Sequence, residues 1–134
     1  MANELGELRR INRALIEFLG EEGVPPDGVN RVRLVVEELV VNIIMHAFED
    51  AAAHTIVLSL RTAPGSVTVT TEDDGKPFDP REAPPAPVGR PLEEQGAGGY
   101  GIYIVTHMAR SLDYERVDGR NRVRAVIEYK TGRA

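Results

Sequence analysis

The sequence predicts an α/β (α+β) domain built as a two-layer sandwich, with helices packed on one face of a largely antiparallel mixed sheet. Three observations predict it. The hydrophobic pattern changes from helical to alternating in the order helix, helix, strand, strand, irregular segment, helix, strand, strand. One helical segment is apolar around most of its girth, so it must lie against other layers. The chain has 134 residues, 42% of them hydrophobic and 28% charged, enough for one core in one domain spanning 1–134.

The elements follow in order. Over residues 4–20, Leu5, Leu8, Ile11, Leu15, Phe18 and Leu19 recur at helical spacing, with Arg9, Arg10, Arg13 and Glu17 outward. Gly20, Gly23, Pro25 and Pro26 end that helix, and Asp27 or Asn30 is placed to cap a second one running to about Phe48. Its body, RVRLVVEELVVNIIMHAF, is rich in Val and Ile, so propensity alone leaves helix and strand open. Length decides for helix, and Glu38, Asn42 and His46 then share one face at steps of four. HTIVLSLRT (54–62) and SVTVTTEDD (66–74) alternate as strands around Pro64-Gly65. Residues 75–97 carry Pro77, Pro80, Pro84, Pro85, Pro87 and Pro91, a long irregular segment of the kind that serves as a lid or is disordered. YGIYIVTHMAR opens a third helix from a glycine-rich turn, and SLDYERVD with NRVRAVIEYK forms a hairpin around Gly119-Arg120.

Composition narrows the function classes. There is no cysteine, which removes disulfides, thiolate metal sites and thiol nucleophiles and fits a reducing cytosol. The net charge of −5 argues against binding along a nucleic-acid backbone. MANELGELRR does not read as a signal peptide, and no apolar run is long enough to span a membrane. The expectation is a cytoplasmic protein.

Three motifs bear chemistry. In Glu38-Leu-Val-Val-Asn42 a carboxylate and a carboxamide lie one helical turn apart. The amide oxygen is a hard ligand suited to magnesium, and the carboxylate can act as general base near a γ-phosphate. Taken alone, the pair reads first as a solvated helix face or a capping network. Glu37 points about 100° away and takes a surface or structural role. Asp73-Asp74-Gly75-Lys76-Pro77-Phe78-Asp79-Pro80 ends a strand. An ionised Asp there can accept from an exocyclic amine such as adenine N6, and Gly75 allows close approach to a flat base. Taken alone, it is an ordinary turn. Gly96-Ala-Gly98-Gly99-Tyr100-Gly101 opens a helix, where backbone amides can hold phosphate, or it is a flexible joint. It is neither a Walker loop nor a dinucleotide fingerprint. His46 reads as a packing histidine, His54 and His107 stand alone, and no hydrolase triad is visible.

Together and in this order, the motifs resemble the GHKL ATPase superfamily with its Bergerat ATP-binding fold: EELVVN resembles the N box, DDGKPFDP the G1 box and GAGGYG the G2 box. Within it, NIIMHAF, DDGKPFDP and GGYGIYIVTHMARSLDYERVDGRNRV are similar to the RsbW-type anti-sigma-factor serine/threonine kinases. The resemblance implies Glu38 as general base and Asn42 as magnesium ligand. It implies an ATP site formed by Asn42, Asp73, Gly75, Phe78, Gly96, Gly98, Gly99, Tyr100 and Gly101, with a lid over about 79–97. It also implies a STAS-type anti-sigma factor antagonist as phosphoacceptor, a sigma factor as sequestered partner, and leaves homodimerisation open. The competing reading is an ATP-dependent binding switch without transfer. Two departures stand out: Pro77 replaces a glycine common in the G1 box, and the strand that usually precedes the first helix has almost no room.

Overall fold

The computed structural model describes residues 6–46, 54–82 and 101–130. Helices α1 (Glu7–Glu21) and α2 (Pro26–His46) are followed by strands β1 (Val57–Ala63) and β2 (Ser66–Asp73), a 3₁₀ turn (Pro80–Glu82), helix α3 (Gly101–Met108) and strands β3 (Ser111–Val117) and β4 (Arg120–Glu128). The strands form one sheet in the order β1-β2-β4-β3, and every pairing among the described residues is antiparallel, in line with the largely antiparallel sheet the pattern predicts.

The pleat sets the two faces of the sheet. Val67, Val69, Thr71 and Asp73 of β2 and Asn121, Val123, Ala125 and Ile127 of β4 are buried under the helices. The other face is polar. There Arg122 reaches Glu72 at 2.7 Å and Glu115 at 2.9 Å, its cross-strand neighbours in register. From the helical layer, Leu8, Leu15 and Leu19 of α1, Val32, Val35, Val36, Leu39, Val40 and Ile43 of α2, and Val105 of α3 complete the core. The β-branched run of α2 is held helical by this burial, which outweighs its weak helix propensity. Phe18, expected in the apolar stripe of α1, lies at its exposed edge.

The start of α2 and the second hairpin turn differ from the expectation. α1 closes with a left-handed Gly23 (φ +80°), whose N–H donates to Gly20 O while Val24 N–H donates to Leu19 O. This pattern satisfies the terminal carbonyls and joins Leu19 to Val24 in the core. α2 then starts at Pro26, whose fixed φ suits a first helical position, and Pro25 O accepts the first turn's bond from Val29 N–H. Neither Asp27 nor Asn30 is therefore the cap. Asp27 lies inside the first turn and takes Arg31 at 3.2 Å, and Asn30 takes Arg33 at 2.8 Å. The second hairpin turns on Asp118 (φ 50°) and Gly119 (φ 76°), one residue earlier than expected, because a two-residue turn of this hand needs two left-handed residues.

Candidate active site

β2 carries Asp73 to the end of the sheet on its inward face, 1% exposed. Gly75 N–H and Asn121 Nδ2 both donate to its Oδ1, each at 2.9 Å. Asn42 of α2 is 2% exposed, and neither its Oδ1 nor its Nδ2 has a hydrogen-bond partner among the described residues. The same holds for Thr71 Oγ1, two residues before Asp73 on the same strand face. These three side chains meet in one slot, walled by Leu39, Ile43, Phe78, Pro80 and Val123. Apolar walls with a few convergent polar groups are what a small-molecule site requires. The space left inside is about 10 Å³, room for about one water.

Buried polar atoms without partners cost about 1–3 kcal/mol each, so the Asn42 amide and Thr71 Oγ1 call for a partner that the described residues do not supply, a water or a ligand edge. Among the described residues there is no group of three or more His, Asp or Glu able to hold a metal. An ion here would lean on the Asn42 oxygen plus oxygens brought by the ligand, a donor set that suits magnesium with a nucleotide.

Glu38 sits one turn before Asn42 on the same helix face, half-buried, and does not line the slot. Burial pushes its proton affinity above the ordinary glutamate range, and the like charge of Glu37 adds to this. Glu37 itself faces Arg33 at 3.9 Å, the surface role expected of it.

Below the slot, Asp79 accepts the Arg81 N–H at 2.9 Å and the Arg81 guanidinium at 2.8–3.2 Å. The side-chain bond from Arg81 is the main cause that holds this carboxylate below its usual range. The bonds set the turn into Pro80–Glu82, the start of the expected lid, of which 83–97 lie outside the described residues. Gly96, Gly98, Gly99 and Tyr100 also lie outside them. Gly101 is the first residue of α3, which packs against α2. His46 ends α2, and its side chain is outside the description. His54 pairs with Asp74 at 3.1 Å.

Of the expected residues, the structure thus brings Asn42, Asp73 and Phe78 into one slot, ties Gly75 to Asp73, and leaves Glu38 at a short remove. Thr71 and Asn121 were missed. Their signal was present: both are polar positions on otherwise apolar inward strand faces.

The sequence matches the family described as "Histidine kinase-like ATPase domain" over residues 1–127. The chain belongs to this family. A histidine kinase-like ATPase domain binds ATP, and the slot between α2 and β2 joins residues of the first two motifs, Asn42 with Asp73 and Phe78. One relative is the "Serine/threonine-protein kinase BtrW" of Bordetella bronchiseptica, 34% identical over 88 residues, which are 66% of this chain and 62% of that protein. Among solved structures, the histidine kinase domain of the blue-light activated histidine kinase EL346 of Erythrobacter litoralis superposes with a TM-score of 0.56 at 23% identity, covering 92% of this chain and 60% of that one. A structure of the blue-light activated histidine kinase itself gives 0.55 at 24% identity, over 78% of this chain and 31% of that one. These structures share the fold with the ATPase domain described here. Among the described residues no helix is long and apolar enough to cross a membrane.

Proposed function

We propose that this ATPase domain is an anti-sigma regulatory factor with serine/threonine protein kinase activity, using ATP and magnesium in the cytoplasm. Its substrate is a STAS-type anti-sigma factor antagonist, and it sequesters a sigma factor. The observation that carries the reading is the buried amide of Asn42, without a partner among the described residues and set in the slot with Asp73 one helical turn beyond a carboxylate of raised proton affinity. The name of the Bordetella relative supports the choice of a hydroxyl acceptor.

In this reading Asp73 accepts the adenine amine, and Leu39, Ile43, Phe78 and Val123 bracket the ring. Asn42 Oδ1 would hold magnesium, and the ion would offset charge on the phosphates. Glu38 receives the proton of a serine or threonine hydroxyl as its oxygen bonds to the γ-phosphorus and ADP leaves. A carboxylate of raised proton affinity is better matched to that task near neutral pH than an ordinary one. Glycines 96, 98, 99 and 101 supply amides to the phosphates.

A second reading, ATP-dependent switching of a partner without transfer, is favoured by the slot being closed to about one water. A base enters only when α2 and the 78–80 segment part, and that movement could itself alter a partner surface. One experiment separates the two. With γ-labelled ATP and candidate STAS proteins, label moves to a serine or threonine if the domain is a kinase, and Glu38→Ala keeps ATP binding while transfer falls by about 100-fold or more. ATP binding without any transfer to any STAS acceptor favours the switch, and undiminished transfer by Glu38→Ala removes Glu38 as the base.

A further inference from the structure

Asn121 is the most heavily engaged polar side chain near the slot. It is 1% exposed and bonded on both ends of its amide. Its Oδ1 accepts from Tyr114 Oη at 2.7 Å, Arg116 Nη1 at 3.1 Å and Phe78 N–H at 3.2 Å. Its Nδ2 donates to Asp73 Oδ1 at 2.9 Å and to Lys76 O at 2.8 Å. Arg116 also donates to Gly75 O at 2.7 Å. One side chain of β4 therefore ties β3, the end of β2 and the loop 75–78 into one network.

The chemistry of the partners fixes the amide's orientation. Three donors surround one end, while the two partners at the other end, a carboxylate oxygen and a carbonyl oxygen, can only accept. A flipped amide would set its NH₂ against the donors and its oxygen against acceptors. Nδ2 must therefore face Asp73. Gly75 N–H and Asn121 Nδ2 both donate to Oδ1, so this oxygen of Asp73 is held as an acceptor from two sides.

We infer that Asn121 is a positioning residue that selects the base: by donating to Asp73 Oδ1 and clamping the 75–78 loop, it presents Asp73 as a pure acceptor that takes a purine bearing an exocyclic amine at C6 and rejects one bearing an oxygen there. The inference rests on the ATP reading and extends it to specificity. A carboxylate oxygen facing a carbonyl oxygen leaves two acceptors opposed and desolvated, a mismatch costlier than a lost contact.

The probes are ATP and inosine triphosphate, which differ at the C6 edge. Binding of each is measured by calorimetry to the wild-type chain and to N121D. Wild type favours ATP by roughly 10- to 100-fold. In N121D an acceptor replaces the Nδ2 donor, so Asp73 Oδ1 loses one of its two donors and faces a like group. Asp73 is no longer held in its accepting position, and the ATP preference narrows by roughly tenfold. A general loosening of the fold would weaken both nucleotides together and leave their ratio alone. If circular dichroism shows that N121D does not fold, Y114F is measured in its place. It removes one donor from the partly exposed end of the network, and the ratio narrows by a few-fold. An unchanged ratio in a folded N121D, or in Y114F where N121D is unfolded, overturns the inference alone. Failure of the wild-type chain to bind ATP overturns the ATP reading and this inference with it.

Discussion

At the scale of single residues, Glu38 makes protonation and folding interdependent. Burial raises its proton affinity in the folded chain, with Glu37 adding a like charge. The folded state therefore holds this proton to a higher pH than the unfolded state does, and across that interval the unfolded chain binds fewer protons. Stability from this group is complete at acid pH, below the ordinary glutamate value, and is lost as pH rises through the raised folded value. At neutral pH the ionised Glu38 is a net cost. Glu38→Gln should thus raise the denaturation midpoint at pH 7 relative to wild type, with the gain shrinking to nothing near pH 4. Paired denaturant titrations across that range test it, and a pH-independent difference between the two proteins would contradict a perturbed Glu38. Asp79 runs the other way. The Arg81 side-chain bond depresses it, so its contribution is present at neutral pH and disappears only in acid.

At the scale of elements, the decisive contacts are those that set α2 against the sheet, because α2 carries both Glu38 and Asn42. Gly28, in its first turn, is buried: a Cβ added there would lie 2.8 Å from Val24 Cγ1 and 2.9 Å from Tyr129 Cγ. Alanine at this position gains up to about 1 kcal/mol of helix propensity. It also forces apart the Val24 turn and the tyrosine that follows β4, an overpacking cost of about 1–3 kcal/mol. The clash should win, so Gly28→Ala is expected to lower stability by about 1–2 kcal/mol in urea titration; a stabilised variant would show that the start of α2 yields easily. This contact also marks where sequence reading stopped. The order of elements was legible because each period, 3.6 or 2, was strong, and the polar stripe of α2 was legible because Glu38 and Asn42 interrupt an apolar run. The start of α2 was not, since Asp27 looks like a cap and only the three-dimensional turn shows Pro26 already inside the helix. Thr71 and Asn121 left a signal in the alternation, but their place at the site was not legible. A polar residue on an inward strand face gains that meaning only when register sets Asp73 opposite Asn121 and Thr71 opposite Val123.

At the scale of the whole molecule, one core joins both layers, and the slot is cut into its edge. Leu39, Ile43 and Val123 belong at once to the core and to the slot wall. Among the described residues, Asn42 and Thr71 therefore carry the cost of unpartnered polar atoms at the edge of the stabilising core. Asn42→Leu, similar in volume, removes one such cost. The variant should be more stable than wild type without nucleotide by about 1–3 kcal/mol, a rise of roughly 3–10 °C in midpoint for a domain of this size. ATP with magnesium should reverse the order. A ligand at 100 times its Kd adds about 2.7 kcal/mol to the folded state that binds it, so the wild-type midpoint climbs with nucleotide while that of Asn42→Leu stays level. The crossing of the two melting curves on adding ATP is the expected signature of a residue kept for binding at the expense of folding. If Asn42→Leu is destabilised without nucleotide, the amide has a structural partner. If it follows wild type upward with ATP, Asn42 does not hold the nucleotide's metal.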